Sequence, residues 1–238
     1  MTFPGEKTVV SRRDKTSRGV FFMQHLPPDA GRDEVCRFFG LTPEACARLE
    51  IYVRELRRWN PHINLVAPST LDQAWTRHVA DALQLLSLIP EGVQRIVDLG
   101  AGSGVPGLVL ALAAPERWDV HLVESAARKC AFMRQVAQKA GIDVNMHHER
   151  IEALATRESI AGPDTLITAR ALAPLPELLA LAAPMLEAGT GALLPKGRSA
   201  RAEVEEARRR GWRFRLEAYP SVTDKEASIL RLSEVRRD

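Results

Sequence analysis

Residues 95–107 read R-I-V-D-L-G-A-G-S-G-V-P-G, and no other stretch limits the possible folds so tightly. Ile96, Val97 and Leu99 form a short apolar, partly β-branched run, the composition of a buried strand. Gly100, Gly102, Gly104 and Gly107 follow, and residues 108–114 then suit a helix with Pro106 tolerated in its first turn. Strand, glycine turn and helix in that order open an α/β unit whose backbone turns sharply and comes close to a ligand.

Asp98 sets the meaning of the turn. Residues 102–107 fit G-x-G-x-x-G, a dinucleotide fingerprint, but an acid and a further glycine precede it, giving D-x-G-x-G-x-G. This resembles motif I of the class I S-adenosylmethionine (SAM) methyltransferases. SAM carries a cationic ammonium and sulfonium and no phosphate, so a carboxylate at the strand tip suits it and would repel a pyrophosphate. Glu124 ends a second apolar run at residues 119–123, where an acid can bond a ribose diol. An ordinary glycine-rich turn with a capping Asp is the competing reading; the order of acid, glycines and second acid favours the cofactor. The fold expected is α/β, a Rossmann-like SAM methyltransferase sheet of about seven mostly parallel strands, with an N-terminal helical extension.

A chain of 238 residues, 45% hydrophobic, allows one large domain with a small appendage. No window approaches the ~20 apolar residues of a membrane span, and residues 1–27 lack the apolar core of a signal peptide, so a cytoplasmic location is expected. The formal charge of +3 is supplied within residues 1–27, where Lys7, Arg12, Arg13, Lys15 and Arg18 stand against Glu6 and Asp14. The remainder is nearly neutral, so only local clusters can argue for nucleic acid. The basic start reads as a disordered, dispensable tail, or as an over-extended gene start ahead of Met23. Cys36, Cys46 and Cys130 are scattered with no C-x-x-C, which predicts reduced thiols and no metal site.

Residues 28–92 read as a helical segment packed on the core, and residues 93–238 as the methyltransferase domain. A short helix at 33–39 stops at Gly40. Thr42, Pro43 and Glu44 open a second helix running to about Trp59, with Leu49, Tyr52, Val53 and Leu56 on one face and Arg54, Arg57 and Arg58 on the other. Those arginines are either a solvated face or an RNA phosphate contact. A polar turn at 59–65 leads to a third helix capped by Ser69 or Thr70, in which His78 and Asp81 lie one turn apart and can bond each other. Helix packing and substrate binding both suit that pair; no third ligand stands near for zinc. Strands are expected at 95–98, 119–123, 144–147, 165–168 and 191–194, with an antiparallel pair at 212–219 and 229–235. His147 and His148, adjacent in a strand, point to opposite faces. Arg170 and Lys196 fall at carboxyl ends of strands, where such sheets bind ligands. Arg170 suits a cofactor carboxylate or an RNA phosphate, and Lys196 a phosphate or a guanine carbonyl oxygen; plain salt bridging competes for both.

Methyl transfer from SAM is a direct displacement, so alignment dominates and further needs depend on the acceptor atom. Enzymes acting on exocyclic amines commonly carry Asn/Asp-Pro-Pro-aromatic after the fourth strand, where this chain reads T-A-R-A-L at 168–172. None of the cysteines sits in Pro-Cys, the usual nucleophile context for carbon-5 of pyrimidines. Guanine N7 has an in-plane lone pair and no proton, and needs only placement; sulfur and carboxylate acceptors pass the same filter.

R-x-W-N-x-x-I-N-L at 57–65, R-H-x-x-D at 77–81, D-L-G-A-G-S-G-V-P-G at 98–107, E-R-I-E at 149–152, A-R-A at 169–171 and P-K-G at 195–197 together resemble the ribosomal small-subunit methyltransferase G family, also called glucose-inhibited division protein B. The resemblance covers roughly residues 42–235. It implies SAM-dependent methylation of a guanine N7 in the decoding region of 16S rRNA, with S-adenosylhomocysteine as product and no metal. The RNA would be free, or within a 30S subunit or an assembly intermediate; the oligomeric state stays open, with a monomer favoured. Gly100 and Val105 would contact the cofactor, Ile151 and Glu152 its adenine end, and Arg170 would line the pocket. Asp98, Gly102 and Glu124 complete the candidate cofactor set; Arg170 and Lys196 are the catalytic candidates, and Arg57, Arg58, His78 and Lys196 the substrate contacts. Family members often show S-R-A and L-K-G where this chain has A-R-A and P-K-G. A methyltransferase acting on a protein or small molecule, and a non-catalytic dinucleotide-binding module, are the alternatives.

Overall fold

The computed structural model describes residues 25–238; the expectations for residues 1–24 lie outside them. Strand β1 (Arg95–Leu99) is the axis, paired in parallel with β2 (Asp119–Val123) on one side and β4 (Thr165–Thr168) on the other. Beyond them lie β3 (Asn145–His147) and β5 (Gly191–Lys196), also parallel. β7 (Ser228–Arg237) runs antiparallel between β5 and β6 (Trp212–Pro220), giving a seven-stranded sheet in the order β3-β2-β1-β4-β5-β7-β6. The α/β architecture is therefore the one expected.

Alternation along β1 splits the core in two. Ile96 faces one apolar cluster, while Val97 and Leu99 face the other. On the Ile96 side lie α4 (Gly107–Ala113) and α5 (Ala127–Ala140), covered in turn by α2 (Pro43–Ile63), with α1 (Arg32–Phe38) against its start. On the other side lie α6 (Ile151–Ala155), α7 (Leu175–Glu187) and α8 (Ala200–Arg209). The folded body takes in Leu26, which is buried and donates its N–H to the Val222 carbonyl at 3.0 Å. Among the described residues no helix is long and apolar enough to cross a membrane.

Helix α2 begins as its sequence dictates: the Thr42 hydroxyl accepts from the Ala45 N–H at 3.2 Å, and Pro43 takes the first position. It does not stop near Trp59, however, but continues through Pro61 to Ile63 and closes on Asn64 in the left-handed conformation, φ 48°. The buried Asn60 side chain explains the extension. It bonds both the N–H (2.8 Å) and the carbonyl (3.0 Å) of Val66, folding the following loop back onto the last turn.

The third helix also departs from expectation. Ser69 and Thr70 form only a single 3-10 turn, Pro68–Thr70. The longer helical run begins with a π-helical turn, Trp75–Ala80, and continues through α3 (Asp81–Leu83) into a further 3-10 turn, Gln84–Ser87. Thr70 does not cap it: the run starts five residues later, at Trp75, and the Thr70 hydroxyl instead donates to the Ala67 carbonyl at 2.7 Å and meets His78. The cysteine expectation is corrected as well: Cys36 and Cys46 form a disulfide across the α1–α2 turn, with Cα atoms 6.1 Å apart, while Cys130 is free and buried. A separation of ten residues shows nothing in sequence until the two helices pack. His147 stacks on His121, rings 5.1 Å apart, while His148 reaches the Ser125 carbonyl, so that doublet diverges as expected.

Candidate active site

The chain leaves β1 toward β2 on one side and later returns to β4 on the other, which opens a crevice at the carboxyl ends of the strands. Two cavities of 330 and 540 Å³ lie along it, and Ala171 and Leu172 belong to the walls of both. Ala171 has φ 53°, a left-handed conformation uncommon for a residue with a side chain.

The smaller cavity brings together Gly100, Glu124, Ile151 and Glu152, residues that sequence reasoning had assigned to the cofactor. Gly100 has φ +66°, and a Cβ there would lie 2.6 Å from Leu172 Cδ1. The buried Glu124 carboxylate accepts from the Gly102 N–H at 3.0 Å and the Ala126 N–H at 2.8 Å, pinning the turn from the side. A carboxylate has about four lone-pair sites, which leaves it able to accept from a diol as well.

Asp98, Gly102 and Val105 do not line either cavity. Asp98 was expected to face a cationic ligand at the strand tip; instead it is wholly buried beneath the turn, where its Oδ2 accepts from the Gly107 N–H at 2.8 Å. Pleating places it on the Ile96 side, the side on which α4 starts. Burial pushes its carboxyl up to about 7, against the pull of the Gly107 N–H and the Arg170 cation. Val105 packs into the apolar core.

A volume of 330 Å³ falls among those of small-molecule sites. Its wall offers Ile151, Leu172 and Val123 to a flat apolar ring, and Glu124, Glu149 and Glu152 outnumber Lys129 and Arg150. That excess of carboxylate acceptors fits a cationic nucleoside such as SAM and disfavours a pyrophosphate.

The larger cavity gathers Arg170, Lys196 and His78. His78 and Asp81 do not bond each other as expected; both bond Arg170, which brings a full positive charge to the same acceptors. The Arg170 Nη1 donates to the Arg77 carbonyl (2.9 Å) and to Asp81 Oδ2 (3.2 Å), and Nη2 to His78 Nδ1 (3.2 Å). Burial, then the Arg170 and Arg77 cations, depress His78 to about 3. The ring is thus neutral, with Nδ1 accepting and Nε2 donating to the Thr70 hydroxyl at 3.0 Å. Lys196 is tied down on two sides, to Glu203 at 2.9 Å and to the Ala173 carbonyl at 2.9 Å. Glu203 also receives the Leu175 N–H at 2.8 Å. Burial alone would raise the Glu203 carboxyl, but Ser199 and Lys196 together hold it below the usual range.

Arg57 and Arg58 are exposed on α2 and border neither cavity. Beside them the buried Glu55 binds Lys139 at 2.7 Å and lies 3.6 Å from Arg58. Sequence reasoning missed Leu172, Glu203 and Thr223 in these walls, none of which stands in a recognisable motif.

The model of the family described as rRNA small subunit methyltransferase G matches residues 45–229. A Ribosomal RNA small subunit methyltransferase G from Rhodospirillum centenum is 50% identical over 198 residues, 83% of this chain and 88% of that protein. One from Methylorubrum extorquens is 49% identical over 208 residues, 87% of this chain and 96% of the other. Among solved structures, a mutant of MtNAS in complex with S-adenosylmethionine matches with a TM-score of 0.51 at 15% identity, over 85% of this chain and 83% of that one. The O-methyltransferase TomG from Streptomyces achromogenes, in complex with SAM, matches with a TM-score of 0.50 at 15% identity, over 78% of this chain and 89% of its own. Likeness at that identity establishes the fold alone. With a family model spanning residues 45–229 and relatives half identical over most of their length, this chain belongs to the rRNA small subunit methyltransferase G family.

Proposed function

We propose that this chain is a SAM-dependent methyltransferase that methylates N7 of a guanine in the decoding region of 16S rRNA, in free RNA or in a 30S particle. The observation carrying the reading is the pair of cavities that share the Ala171–Leu172 wall at the carboxyl ends of the strands. One holds the donor and the other admits the acceptor. SAM supplies an electrophilic methyl group on its sulfonium. Gly100 lets the backbone approach the cofactor, Glu124 accepts from the ribose hydroxyls, Ile151 packs on the adenine and Glu152 accepts from its amine.

The acceptor side carries three cations, Arg77, Arg170 and Lys196. Arg170 and the third donor of Lys196 hold a phosphate or the guanine carbonyl. A lone-pair nitrogen without a proton needs no general base, and the cavity's titratable groups suit that chemistry. His78 uses both ring nitrogens, Asp81 and Glu203 are bonded to Arg170 and Lys196, and Asp224 accepts from the Glu226 N–H. Positioning then supplies the rate. The exposed Arg57 and Arg58 contact RNA phosphates outside the cavities.

Incubation with methyl-labelled SAM and, separately, naked 16S rRNA, 30S subunits and total protein tests the reading. Label in RNA, mapped to a guanine N7 that is unmethylated in a deletion strain, is the expected result. Label confined to protein overturns the rRNA substrate, and label on an exocyclic amine or ribose overturns the N7 assignment.

A further inference from the structure

The Arg170 guanidinium has five N–H donors, and three of them are committed to one helical turn of the N-terminal segment. The acceptors are the Arg77 carbonyl, Asp81 Oδ2 and His78 Nδ1. In a regular α-helix the Asp81 N–H would occupy the Arg77 carbonyl. Here the turn Trp75–Ala80 is π-helical, and its closing N–H bonds go to Thr76, His78 and Val79. The Arg77 carbonyl is thereby left for the arginine.

Each acceptor is itself held. Asp81 Oδ1 receives the Gln84 amide at 2.9 Å and the Thr223 hydroxyl at 3.0 Å, which turns Oδ2 toward Arg170. The His78 Nε2–H donates to the Thr70 hydroxyl, which donates to the Ala67 carbonyl, so every donor in the chain from Arg170 outward runs the same way. Nε–H and one Nη2 hydrogen of Arg170 have no partner among the described residues, and Arg170 lines the larger cavity.

We infer that Asp81 and His78 are positioning residues, which with the Arg77 carbonyl fix the Arg170 guanidinium so that its two uncommitted donors face the acceptor cavity. His78, in this arrangement, makes no contact with RNA. The N-terminal helical segment is thus part of the reacting site and not only a cover on α4 and α5. The inference rests on the reading of the larger cavity as the acceptor side.

A double-mutant cycle tests it, using whichever acceptor the wild type labels, so that a wrong acceptor in the proposed function leaves the test intact. Asp81→Asn keeps an acceptor for Gln84 and Thr223 but turns an amide toward Arg170. It is expected to lower kcat by about 10-fold to about 100-fold, with the SAM Kd from calorimetry and the melting temperature little changed. In an Arg170→Ala background the same change should alter kcat by less than about twofold. His78→Asn, which retains an acceptor near the Nδ1 position, should keep more of the rate than His78→Ala, and neither should change the salt slope of RNA binding. Equal losses from Asp81→Asn in both backgrounds would overturn the inference and make Asp81 a structural staple. A shallower salt slope in the His78 variants would return His78 to the RNA surface. A wild-type rate for Arg170→Ala would remove Arg170 from the proposed function and take this inference with it.

Discussion

Gly107→Ala probes the foundation of the glycine turn that follows β1. A Cβ at Gly107 would lie 2.6 Å from Asp98 Cβ, 2.7 Å from Leu122 Cδ2 and 2.8 Å from Asp98 Oδ2. Gly107 opens α4 without a positive φ, so the penalty is one of space and not of backbone conformation. Asp98 has no route of escape: it sits in the central strand, wholly buried, with its Oδ2 bonded to the same Gly107 N–H. Overpacking a tight core costs about 1–3 kcal/mol, and pulling a buried carboxyl off its N–H donor costs about 1–3 kcal/mol more. The sum, roughly 2–6 kcal/mol, corresponds to a Tm lowered by something near 10 °C at about 2–4 °C per kcal/mol for a chain of this size. Gly141→Ala is the control. Gly141 ends α5 with φ +65° and nothing within 4 Å of the added Cβ, so only the left-handed backbone is penalised, at about 1–2 kcal/mol. Thermal melts followed by far-UV circular dichroism, with urea midpoints as a second measure, compare the two. If Gly107→Ala melts at or above Gly141→Ala, the claim that Asp98 and Gly107 are locked together is wrong.

Gly100→Asp is expected to abolish the calorimetric titration with SAM, since the added side chain meets Leu172 and brings a charge into the smaller cavity; a folded variant titrating normally would refute that placement. Arg57→Ala combined with Arg58→Ala should weaken RNA binding and reduce the salt slope by about 1–2, with SAM affinity unchanged; unaltered RNA affinity and slope would make these arginines a merely solvated face. His78 is depressed from 6.5 to about 3, so its contribution to stability is present at neutral pH and is lost as pH falls through that interval. Asp98, raised from 3.8 to about 7, acts in the opposite sense, and its contribution is lost as pH rises between those values. Replacing His78 with Gln should therefore leave a stability that falls relative to wild type by about 1.4 kcal/mol for each unit of rising pH, in urea titrations between about pH 4.5 and about pH 6. Parallel slopes in the two proteins would show that His78 is not held neutral.

Much of this architecture can be read locally. The apolar run 95–99 and its glycines announce β1, the turn and α4 because strand burial and tight turning are short-range demands. Gly100, Glu124, Ile151 and Glu152 meet as expected because parallel strands deliver their carboxyl ends to one edge. What escapes local reading is set by distant partners. Asp98 alternates with Val97, but only the placement of α4 decides that its face lies under the turn. His78 and Asp81 have the spacing of a bonded pair, yet Arg170 outcompetes that pairing from 89 positions away. Pro61 is a helix breaker by rule, and the Asn60 side chain compensates through the following loop. The Cys36–Cys46 bond depends on how α1 folds against α2, which no spacing rule encodes.

The walls of the two cavities draw on different parts of the chain. Those of the smaller cavity lie between Gly100 and Leu181, whereas the larger needs Thr70 from before that span and Ser228 and Ile229 from after it. Gln84 and Asp81 reach Val222 and Thr223 across 138 and 142 positions. A chain leaving the ribosome N-terminus first therefore holds every wall residue of the smaller cavity before the closing hairpin has been made. Until that hairpin arrives β5 is an open sheet edge, a template for unwanted pairing. The hairpin thus covers an adhesive strand and completes the larger cavity, so a chain cut before β6 would keep every wall residue of the smaller cavity but lose Ser221, Thr223, Ser228 and Ile229 from the larger one.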